Sequence, residues 1–315
     1  MAIMPGKQNP FLEMADLVVA ETTCDGKKKM FELMAESRPV YIMELPQKQA
    51  DADAFEHWVL EIGKLKAKLE SRFGVVITDE KIREAIGVMN RERALRRTLA
   101  ELMKADAPPI TERRLLDLKS SISGIPADLE RYERAIRLFG GRYAGGVSSR
   151  VRVLLTGVPV VHGAERVVDI IENHGGLIVC MENCTGLKPI LEDVDAEAAD
   201  LLRALAEKCF RIHCAVMTRN SRRIDLLRSL AVQYRAQCII DLIWQACVTY
   251  DTESYFVRRL AEQELGIPYL RIETDYSPSD SARIAVRVEA LFETVRGAIC
   301  QRDASLAVGA EQTKP

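Results

Sequence analysis

The sequence predicts an α/β fold whose largest part is an open, doubly wound parallel sheet. Three observations support this fold class: a strand–helix–strand pattern near the start, a long central stretch of helical periodicity, and short apolar runs that alternate with amphipathic helices from about residue 150 onward. Strands of a parallel sheet are buried on both faces and therefore read as continuous apolar runs. Consecutive parallel strands also need a crossover connection, which is usually a helix.

Residues 1–50 are predicted to be the remnant of an N-terminal α/β lobe. Segments 16–21 and 39–45 are apolar and read as strands, and segment 25–36 between them reads as a helix. Together they form one βαβ unit.

Residues 51–146 are predicted to be a helical region, in which a basic run at 91–97 forms a solvated helix face. Thr78, followed by Asp79 and Glu80, favours a helix start by capping and by negative charge in the first turn. Apolar side chains recur at intervals of three and four residues, as on one face of a helix: Phe55, Trp58, Val59, Ile62, Leu65 and Leu69, then Ile82, Ile86, Met89, Leu95, Leu99 and Leu102.

Residues 147–302 are predicted to form a C-terminal doubly wound α/β lobe, and residues 303–315 a disordered tail. A Gly-rich segment, 139–150, marks the boundary before this lobe. Ser279 and Asp280 can cap a final helix. The predicted strands are the five apolar runs 150–157, 175–182, 211–217, 238–244 and 268–273.

Composition excludes several functional classes. Hydrophobic residues make up 48% of the 315 residues, enough for a sizeable core, and 44 basic against 46 acidic residues leave a net charge of −2. That balance gives no general attraction to nucleic acid or to anionic lipid. No window supplies the roughly 20 apolar residues of a membrane span, and the start of the chain lacks a signal-peptide pattern. We therefore expect a cytoplasmic protein without nucleic-acid or membrane partners.

Four of the eight cysteines lie at or near the edge formed by the carboxyl ends of the predicted strands, where doubly wound folds bind their ligands. These four are Cys24, Cys184, Cys214 and Cys247. In a reducing compartment they are expected to be reactive thiols, metal ligands or buried thiols rather than disulfides. The other four, Cys180, Cys209, Cys238 and Cys300, fall within predicted strands or helices and are interpreted as small apolar core residues.

Cys24 lies directly before a predicted helix, where the helix dipole and unpaired backbone N–H groups favour a thiolate and can hydrogen-bond cluster sulfides. The spacing of the cysteines is neither a CxxC pair nor a ferredoxin pattern. From spacing alone, a metal cluster and inert core thiols both remain open.

Two further side chains are candidates for acid–base chemistry. His162 lies in the turn 156–167 between a strand and a helix, where it could move a proton or simply hold the turn together. N–H groups of that turn could also hold a phosphate, although the segment has neither GxGxxG nor a P-loop Lys-Ser/Thr. Glu273 follows the last strand and is a weaker acid or base candidate.

Several long motifs resemble the (R)-2-hydroxyacyl-CoA dehydratase D-component family, especially its branch of double-cubane-cluster and dehydratase-like proteins. The similarity runs from about Asp16 to about Arg296. It is carried by the segments DLVVAETTCDGKKKMFELM, LLTGVPVVHGAERVVDIIENHGG, ENCTGLKP, DLIWQACVTYDTESYFVRR and PYLRIETDYSPSD.

This resemblance implies two flavodoxin-like doubly wound lobes, the first one truncated here, with a helical insertion, and pairing as a homodimer or heterodimer. It also implies a [4Fe–4S] cluster held by three cysteines, or a double-cubane cluster shared with a partner. A separate ATP-hydrolysing iron–sulfur activator supplies a low-potential electron in that family. The implied activity is an oxygen-sensitive lyase acting on 2-hydroxyacyl-CoA, or a reductase acting on a small molecule.

By the same resemblance, Cys24 corresponds to the second cluster ligand of the family and Cys247 to the third. The first ligand of the family lies upstream of anything in this sequence, which implies either a misassigned start codon or a shortened paralogue. Cys184 and Cys214 either line the cavity or replace the missing ligand. Val248 and Asp251 stand where the family usually has His and Asn, and Arg219 stands where proline is common; the lost His removes a polar neighbour of the cluster.

Two rival functions remain open at this stage. The chain could be a degenerate, non-catalytic partner or scaffold subunit that has lost one cluster ligand. It could also be a flavodoxin-like binding protein without a metal, which predicts a colourless protein after anaerobic purification.

Overall fold

The computed structural model describes residues 10–120, 122–141 and 148–311, with side chains through residue 301. The described residues separate into two compact units. Unit 1 comprises those up to Ile86 together with Val194–Asn220, and unit 2 comprises those of Gly87–Asp193 and from Ser221 onward. The α-helices are α1 (Pro10–Met14), α2 (Asp25–Ala35), α3 (Ala52–Phe73), α4 (Asp79–Glu101), α5 (Glu112–Leu118), α6 (Pro126–Phe139), α7 (Arg166–Asn173), α8 (Leu201–Phe210), α9 (Ser221–Gln233), α10 (Val248–Arg259) and α11 (Ser281–Glu311).

The strands form parallel sheets, which confirms the predicted α/β class. Short 3₁₀ helices span Leu102–Lys104, Lys188–Ile190 and Pro278–Asp280, and a π-helical segment, Leu260–Leu265, continues α10. The strands are β1 (Val18–Glu21), β2 (Val40–Met43), β3 (Val151–Gly157), β4 (Gly176–Glu182), β5 (Cys238–Trp244) and β6 (Tyr269–Thr274).

Unit 1 contains the predicted βαβ unit. Strands β1 and β2 pair in parallel, with Val18 opposite Val40, and α2 is the crossover between them. Helix α3 buries Trp58 against Phe210 of α8 and Met43 of β2. Because α8 supplies half of this small core, residues 194–220 belong to unit 1 although they are distant in sequence.

Unit 2 contains a four-stranded parallel sheet in the order β4-β3-β5-β6. This is the strand order of a flavodoxin-like fold, 2-1-3-4 when counted within the unit. One face of the sheet packs against α9 and α10 through Leu154, Leu227 and Val257. The side chains of α7 and α11 cover the opposite face, where Gly176 lies against Ile171 and Phe292. Helices on both faces leave the edge at the carboxyl ends of the strands as the open part of the sheet.

Two predicted elements are wrong. The run 211–217 is not a fifth strand of the second lobe but a series of turns in unit 1, in which Cys214 N–H donates to the Ile212 carbonyl and Met217 N–H to the Cys214 carbonyl. A short apolar run is compatible with either structure, and here turn hydrogen bonds satisfy its backbone. The predicted disordered tail is helical as far as Glu311, because no proline interrupts α11 there; residues 312–315 lie outside the described residues.

The unit boundaries also differ from those predicted at 50/51 and 146/147. The helical region 51–146 is divided between the two units within α4, and the predicted C-terminal lobe loses residues 194–220 to unit 1. Part of the Gly-rich segment, 142–147, lies outside the described residues. The predicted cap of α4 is confirmed, since Thr78 Oγ1 accepts a hydrogen bond from Lys81 N–H.

The basic run 91–97 was predicted to be a solvated helix face, but part of it is buried. The side chain of Arg96 is only 13% exposed and donates hydrogen bonds to the carbonyls of Thr185 and Gly186, at 2.9 and 3.3 Å. Arg97 is a bidentate partner of Asp193. Helix α4 packs close to the turn after β4, and this proximity is invisible in the local sequence.

None of the described helices combines the length and apolarity that a membrane span requires.

Candidate functional site

The carboxyl ends of β3, β4 and β5 meet at one edge of the unit 2 sheet, which we call the carboxyl edge. The chain leaves β3 towards β4 on one side, and β5 lies on the other side of β3. Such a reversal of strand order opens a crevice in which doubly wound folds bind ligands. The segments that follow these three strands contain His162, Cys184 and Cys247.

Beneath this edge lies a set of charged and hydroxyl side chains that we call the buried ion network: Thr156, Glu182, Lys188, Arg223, Tyr250 and Glu253. Glu182, at the end of β4, is fully buried and accepts a 2.5 Å hydrogen bond from the Thr156 hydroxyl. Its other carboxylate oxygen lies 3.0 Å from the Lys188 ammonium. Arg223 lies 3.3 Å from Glu182 and also pairs with Glu253.

The buried ion network holds full charges without solvent. Burial by itself would raise the pKa of Glu182, but Lys188 and Arg223, with the Thr156 hydrogen bond, outweigh burial and lower it. Burial would likewise lower the pKa of Lys188, and the carboxylate of Glu182 reverses that effect and raises it. The Tyr250 hydroxyl lies 3.2 Å from the Lys188 ammonium. The network therefore stays ionised at neutral pH and rigidly supports the ends of β3 and β4.

The local sequence pattern does not reveal this network. A carboxylate at the end of a wholly apolar strand was the available signal, because a buried charge requires a partner. Its partners, Lys188 and Arg223, lie in a short 3₁₀ helix and in α9, and Arg223 is 41 residues away along the chain.

Asp241, in the middle of β5, is a second buried carboxyl group. Its Oδ2 accepts a 3.1 Å hydrogen bond from the Tyr269 hydroxyl, whereas its Oδ1 has no hydrogen-bond partner among the described residues. Burial raises the pKa of Asp241 to about 6, although Arg223 acts in the opposite direction. The folded protein thus binds a proton at Asp241 more tightly than the unfolded chain does.

We expect this group to make the folded state less stable as pH rises. A carboxyl group with a raised folded-state pKa stabilises the fold when protonated, and the benefit is lost between its unfolded value, 3.8, and its folded value, about 6. Urea unfolding of Asp241→Asn between pH 4 and 7 should lack this loss, which we expect to be on the order of 2 kcal/mol. Identical pH slopes in the variant and the parent protein would contradict this prediction.

Cys184 is exposed and lies in a tightly held turn after β4. The buried Asn183 side chain accepts hydrogen bonds from the Thr185 and Gly186 N–H groups, at 3.0 and 2.9 Å, and donates to the Val158 carbonyl after β3. A Cβ atom on Gly186 would lie 2.1 Å from the Met181 carbonyl oxygen, so only glycine fits there.

Cys247 is the N-cap residue of α10 and is half-buried. The preceding residue, Ala246, has φ of 69°, a left-handed conformation that costs a residue with a side chain about 1 kcal/mol or more. Strained residues of this kind cluster at functional sites. Val248, the residue after Cys247, is 71% exposed.

Cys24 lies in unit 1, at the carboxyl end of β1 and at the N-cap of α2. No side chain caps the first turn of α2, and the buried hydroxyl of Thr23 has no hydrogen-bond partner among the described residues. The surroundings of Cys24 thus offer unpaired donors to a negatively charged group. Among the three lysines that follow, Lys28 and Lys29 pair with Asp25 and Glu32 of the same helix.

Gln47, which the sequence analysis did not identify, links Cys24 to the segment that contains Cys214. Its side-chain amide donates a 2.6 Å hydrogen bond to the carbonyl of Thr23, and its backbone carbonyl accepts one from Thr218 N–H. Cys214 is half-buried, four residues before Thr218. The structure therefore ties the loops of these two candidate cysteines together within unit 1.

The acid–base candidates have structural partners. His162 Nε2 lies 2.7 Å from the Lys119 carbonyl oxygen and Nδ1 lies 3.5 Å from Glu165, so this side chain holds its turn in place while remaining at the carboxyl edge. Glu273 is exposed and pairs with Arg271 at 2.8 Å.

The cysteines interpreted as core residues differ among themselves. Cys180 and Cys238 are buried, as predicted, whereas Cys209 and Cys300 are exposed, contrary to prediction, because they lie on the outer faces of α8 and α11. The eight cysteines form no disulfide. Within the described part of either unit, no group of three or more His, Cys, Asp or Glu side chains is arranged to hold a metal ion.

The chain is similar in sequence to a known protein family and to individual proteins. The family model described as 2-hydroxyglutaryl-CoA dehydratase, D-component, matches residues 2–295. A relative from Escherichia coli (strain K12), named "Putative dehydratase subunit YjiM", is 37% identical over 298 residues, which cover 90% of this chain and 75% of the relative. A second, "Lactoyl-CoA dehydratase subunit beta" of Anaerotignum propionicum, is 23% identical over 289 residues, covering 88% of this chain and 74% of the relative.

Proposed function

The chain belongs to the 2-hydroxyglutaryl-CoA dehydratase D-component family, a family of dehydratase subunits, and from this membership we propose that it is an iron–sulfur subunit of the 2-hydroxyacyl-CoA dehydratase type. It takes a low-potential electron from an ATP-dependent iron–sulfur activator. With that electron it dehydrates or reduces a small substrate or a CoA thioester. The activity is that of a lyase or of a double-cubane-cluster reductase.

The observation that carries this proposal is the placement of Cys24 and Cys247. Each cysteine follows a parallel strand, occupies the N-cap position of a helix and is half-buried. Helix N-termini present N–H groups and positive partial charge, which suit a thiolate and the sulfides of a cluster. The unpaired Thr23 hydroxyl beside Cys24 adds a donor for such a group. The donor chemistry at both positions therefore fits an iron–sulfur cluster.

In this proposal Cys24 and Cys247 are metal ligands, and Cys184 and Cys214 are further candidates to bind or line the cofactor. A [4Fe–4S] or double-cubane cluster held there would supply one-electron reduction at low potential. The chain's own residues position these thiols. Gln47 holds the loops of Cys24 and Cys214, and Asn183 holds that of Cys184. Ala246, with its left-handed backbone conformation, sets the turn that precedes Cys247.

The partners follow from the same premise. The protein acts as a homodimer or as a heterodimer with a related subunit, and its substrate is a 2-hydroxyacyl-CoA or a related small molecule. One relative bears the name of a lactoyl-CoA dehydratase subunit, which supports an acyl-CoA. His162 at the carboxyl edge is the residue best placed to move a proton, and Glu273 is a weaker candidate.

Anaerobic purification followed by iron, sulfide and EPR measurements tests the proposal. We expect about four irons per chain and an EPR signal after reduction. Cys24→Ala and Cys247→Ala should each lose most of the iron, because a cluster that lacks one thiolate is released. Cys300→Ala, a matched control on the exposed surface of α11, should keep the full iron content.

Urea unfolding of the three variants separates ligand loss from misfolding, since all three should unfold at similar denaturant concentrations. Equal iron content in all three would refute the ligand assignment. A colourless, iron-free parent protein that binds a related subunit would favour the alternative of a degenerate, non-catalytic scaffold subunit.

A further inference from the structure

Unit 2 contains a partly enclosed polar cavity between α4, α5, α6 and β4. We call it the inner cavity; its volume is about 60 Å³. Its polar lining includes Arg96, Glu112, Lys119 and Tyr132, and much of the remaining wall consists of apolar side chains, such as Leu99. Polar groups inside a protein normally have hydrogen-bond partners, because each unpaired polar group in a low-dielectric interior is costly.

Three of these groups end without a protein partner. Within the described part of the chain, the Glu112 carboxyl, the Lys119 ammonium and the Tyr132 hydroxyl make no hydrogen bond or ion pair at 4 Å or less, although Glu112 and Tyr132 are only 7% and 2% exposed. Arg96 is committed on one side to the Thr185 and Gly186 carbonyls and lies 3.7 Å from Glu92. The inner cavity thus presents donors that a bound molecule would satisfy.

A wider space borders the inner cavity on the side of the carboxyl edge. This outer pocket, of about 180 Å³, shares Leu116, Lys119 and Thr185 with the inner cavity and is bordered by His162 and Glu165. A molecule could therefore enter from the edge of the sheet where Cys184 follows β4. Lys119 lies at the junction of the two spaces.

Size, charge and wall chemistry together identify the ligand. One water needs about 10–15 Å³ of such volume, so the inner cavity holds roughly four or five non-hydrogen atoms. Lys119 and Arg96 favour an anion, Tyr132 can donate to an acceptor oxygen, and the apolar walls favour a short alkyl group. We propose that the inner cavity binds a short monocarboxylate of two or three carbons, with its carboxylate on Lys119, Arg96 and Tyr132.

Glu112 supports an anion rather than a cation as the occupant. Burial, followed by the nearby carboxylate of Glu172, raises the pKa of Glu112 to about 8, while Arg96 acts in the opposite direction. The charges and titratable groups that face it are Glu172 on α7, Arg96 on α4, Cys180 on β4 and Tyr234 after α9. At neutral pH this carboxyl is protonated, so it can donate a hydrogen bond and does not repel a carboxylate.

Calorimetric titration of the full-length protein with sodium propionate tests the proposal. Lys119→Met should weaken propionate binding by about tenfold or more, and Tyr132→Phe by a few fold, because each removes one donor and leaves the shape nearly unchanged. Ala100→Leu, which fills the inner cavity, should abolish binding. Arg97→Met is the matched control. Arg97 lies on α4, like Ala100, and pairs with Asp193 outside the cavity, so this variant should bind propionate normally.

The pH dependence is an independent readout. Affinity for propionate should fall as pH rises through about 8, since Glu112 becomes charged and repels the ligand. Burial lowers the pKa of Lys119, and the loss of its charge acts with the same sign. Glu112→Gln, which retains a donor, should flatten part of this decline.

Three outcomes would overturn the proposal: no heat of binding with propionate at millimolar concentration, binding of inorganic phosphate in preference to propionate, or equal affinity in the parent protein, Lys119→Met and Ala100→Leu. The inference does not require a metal cluster, so loss of propionate binding in Lys119→Met with an unchanged iron content leaves the proposed function intact.

Discussion

Replacing Arg223 with Met is expected to lower the free energy of unfolding by about 3–5 kcal/mol, because it breaks a buried ion pair from one side. The Arg223 guanidinium is fully buried, donates 2.8 Å to the Thr156 hydroxyl and pairs with Glu182 and Glu253. Without it, Lys188 is the remaining cation beside the fully buried Glu182. Urea unfolding at pH 7 measures this effect.

Arg228→Met is the matched control for this prediction. Arg228 lies on the same helix, its side chain is 40% exposed, and it pairs with Asp225 and Glu264 at the surface. Exposed pairs contribute about 1 kcal/mol or less, so this variant should unfold nearly like the parent protein. Similar losses in the two variants would mean that the buried ion network does not support the carboxyl edge.

Acid should reduce the effect of Arg223→Met. The pKa of Glu182 is lowered in the folded state, so its ion pairs stabilise the fold above the pKa of the unfolded chain and are lost as pH falls through the folded value. Once Glu182 is protonated, the Arg223–Glu182 ion pair is absent from the parent protein as well as from the variant. We therefore expect the difference in unfolding free energy to shrink steadily at low pH.

Gly157→Ala is expected to have an effect of the same size or larger, at least about 4 kcal/mol, through steric exclusion. Gly157 ends β3 with φ of 104°, a conformation that residues with a Cβ rarely adopt. A Cβ atom there would lie 2.0 Å from the Leu242 carbonyl oxygen and 2.8 Å from Asp241 Oδ1. The backbone of β5 would have to move, and the β3–β5 pairing at the carboxyl edge would be lost.

Gly163→Ala separates backbone conformation from collision. Gly163, in the turn before α7, has φ of 87°, but nothing lies within 4 Å of a Cβ placed there. Gly163→Ala should lower the free energy of unfolding by only about 1–2 kcal/mol, which is what a left-handed conformation costs alanine. Urea unfolding and soluble yield of both variants measure the difference. A Gly157→Ala protein as stable as Gly163→Ala would mean that β3 and β5 are not paired as described.

Much of the local structure was predictable because it depends on neighbours along the chain. The βαβ unit of β1, α2 and β2 follows from alternating apolar and helical patterns, and the position of Cys24 next to a helix start follows from the same patterns. The prediction of a strand at 211–217 was wrong because a seven-residue apolar run carries no periodicity that separates a strand from buried turns.

By itself, the amino-acid sequence determined the α/β class, the parallel strands of both units and the presence of cysteines beside strand ends, since hydrophobic periodicity and turn residues act over a few positions. Only the tertiary structure decided that residues 194–220 pack with α3, that Arg223 neutralises Glu182, and that Arg96 and Lys119 line one cavity. Each of these depends on which distant segments pack together, and a buried charge or cavity is defined by partners that no local pattern specifies.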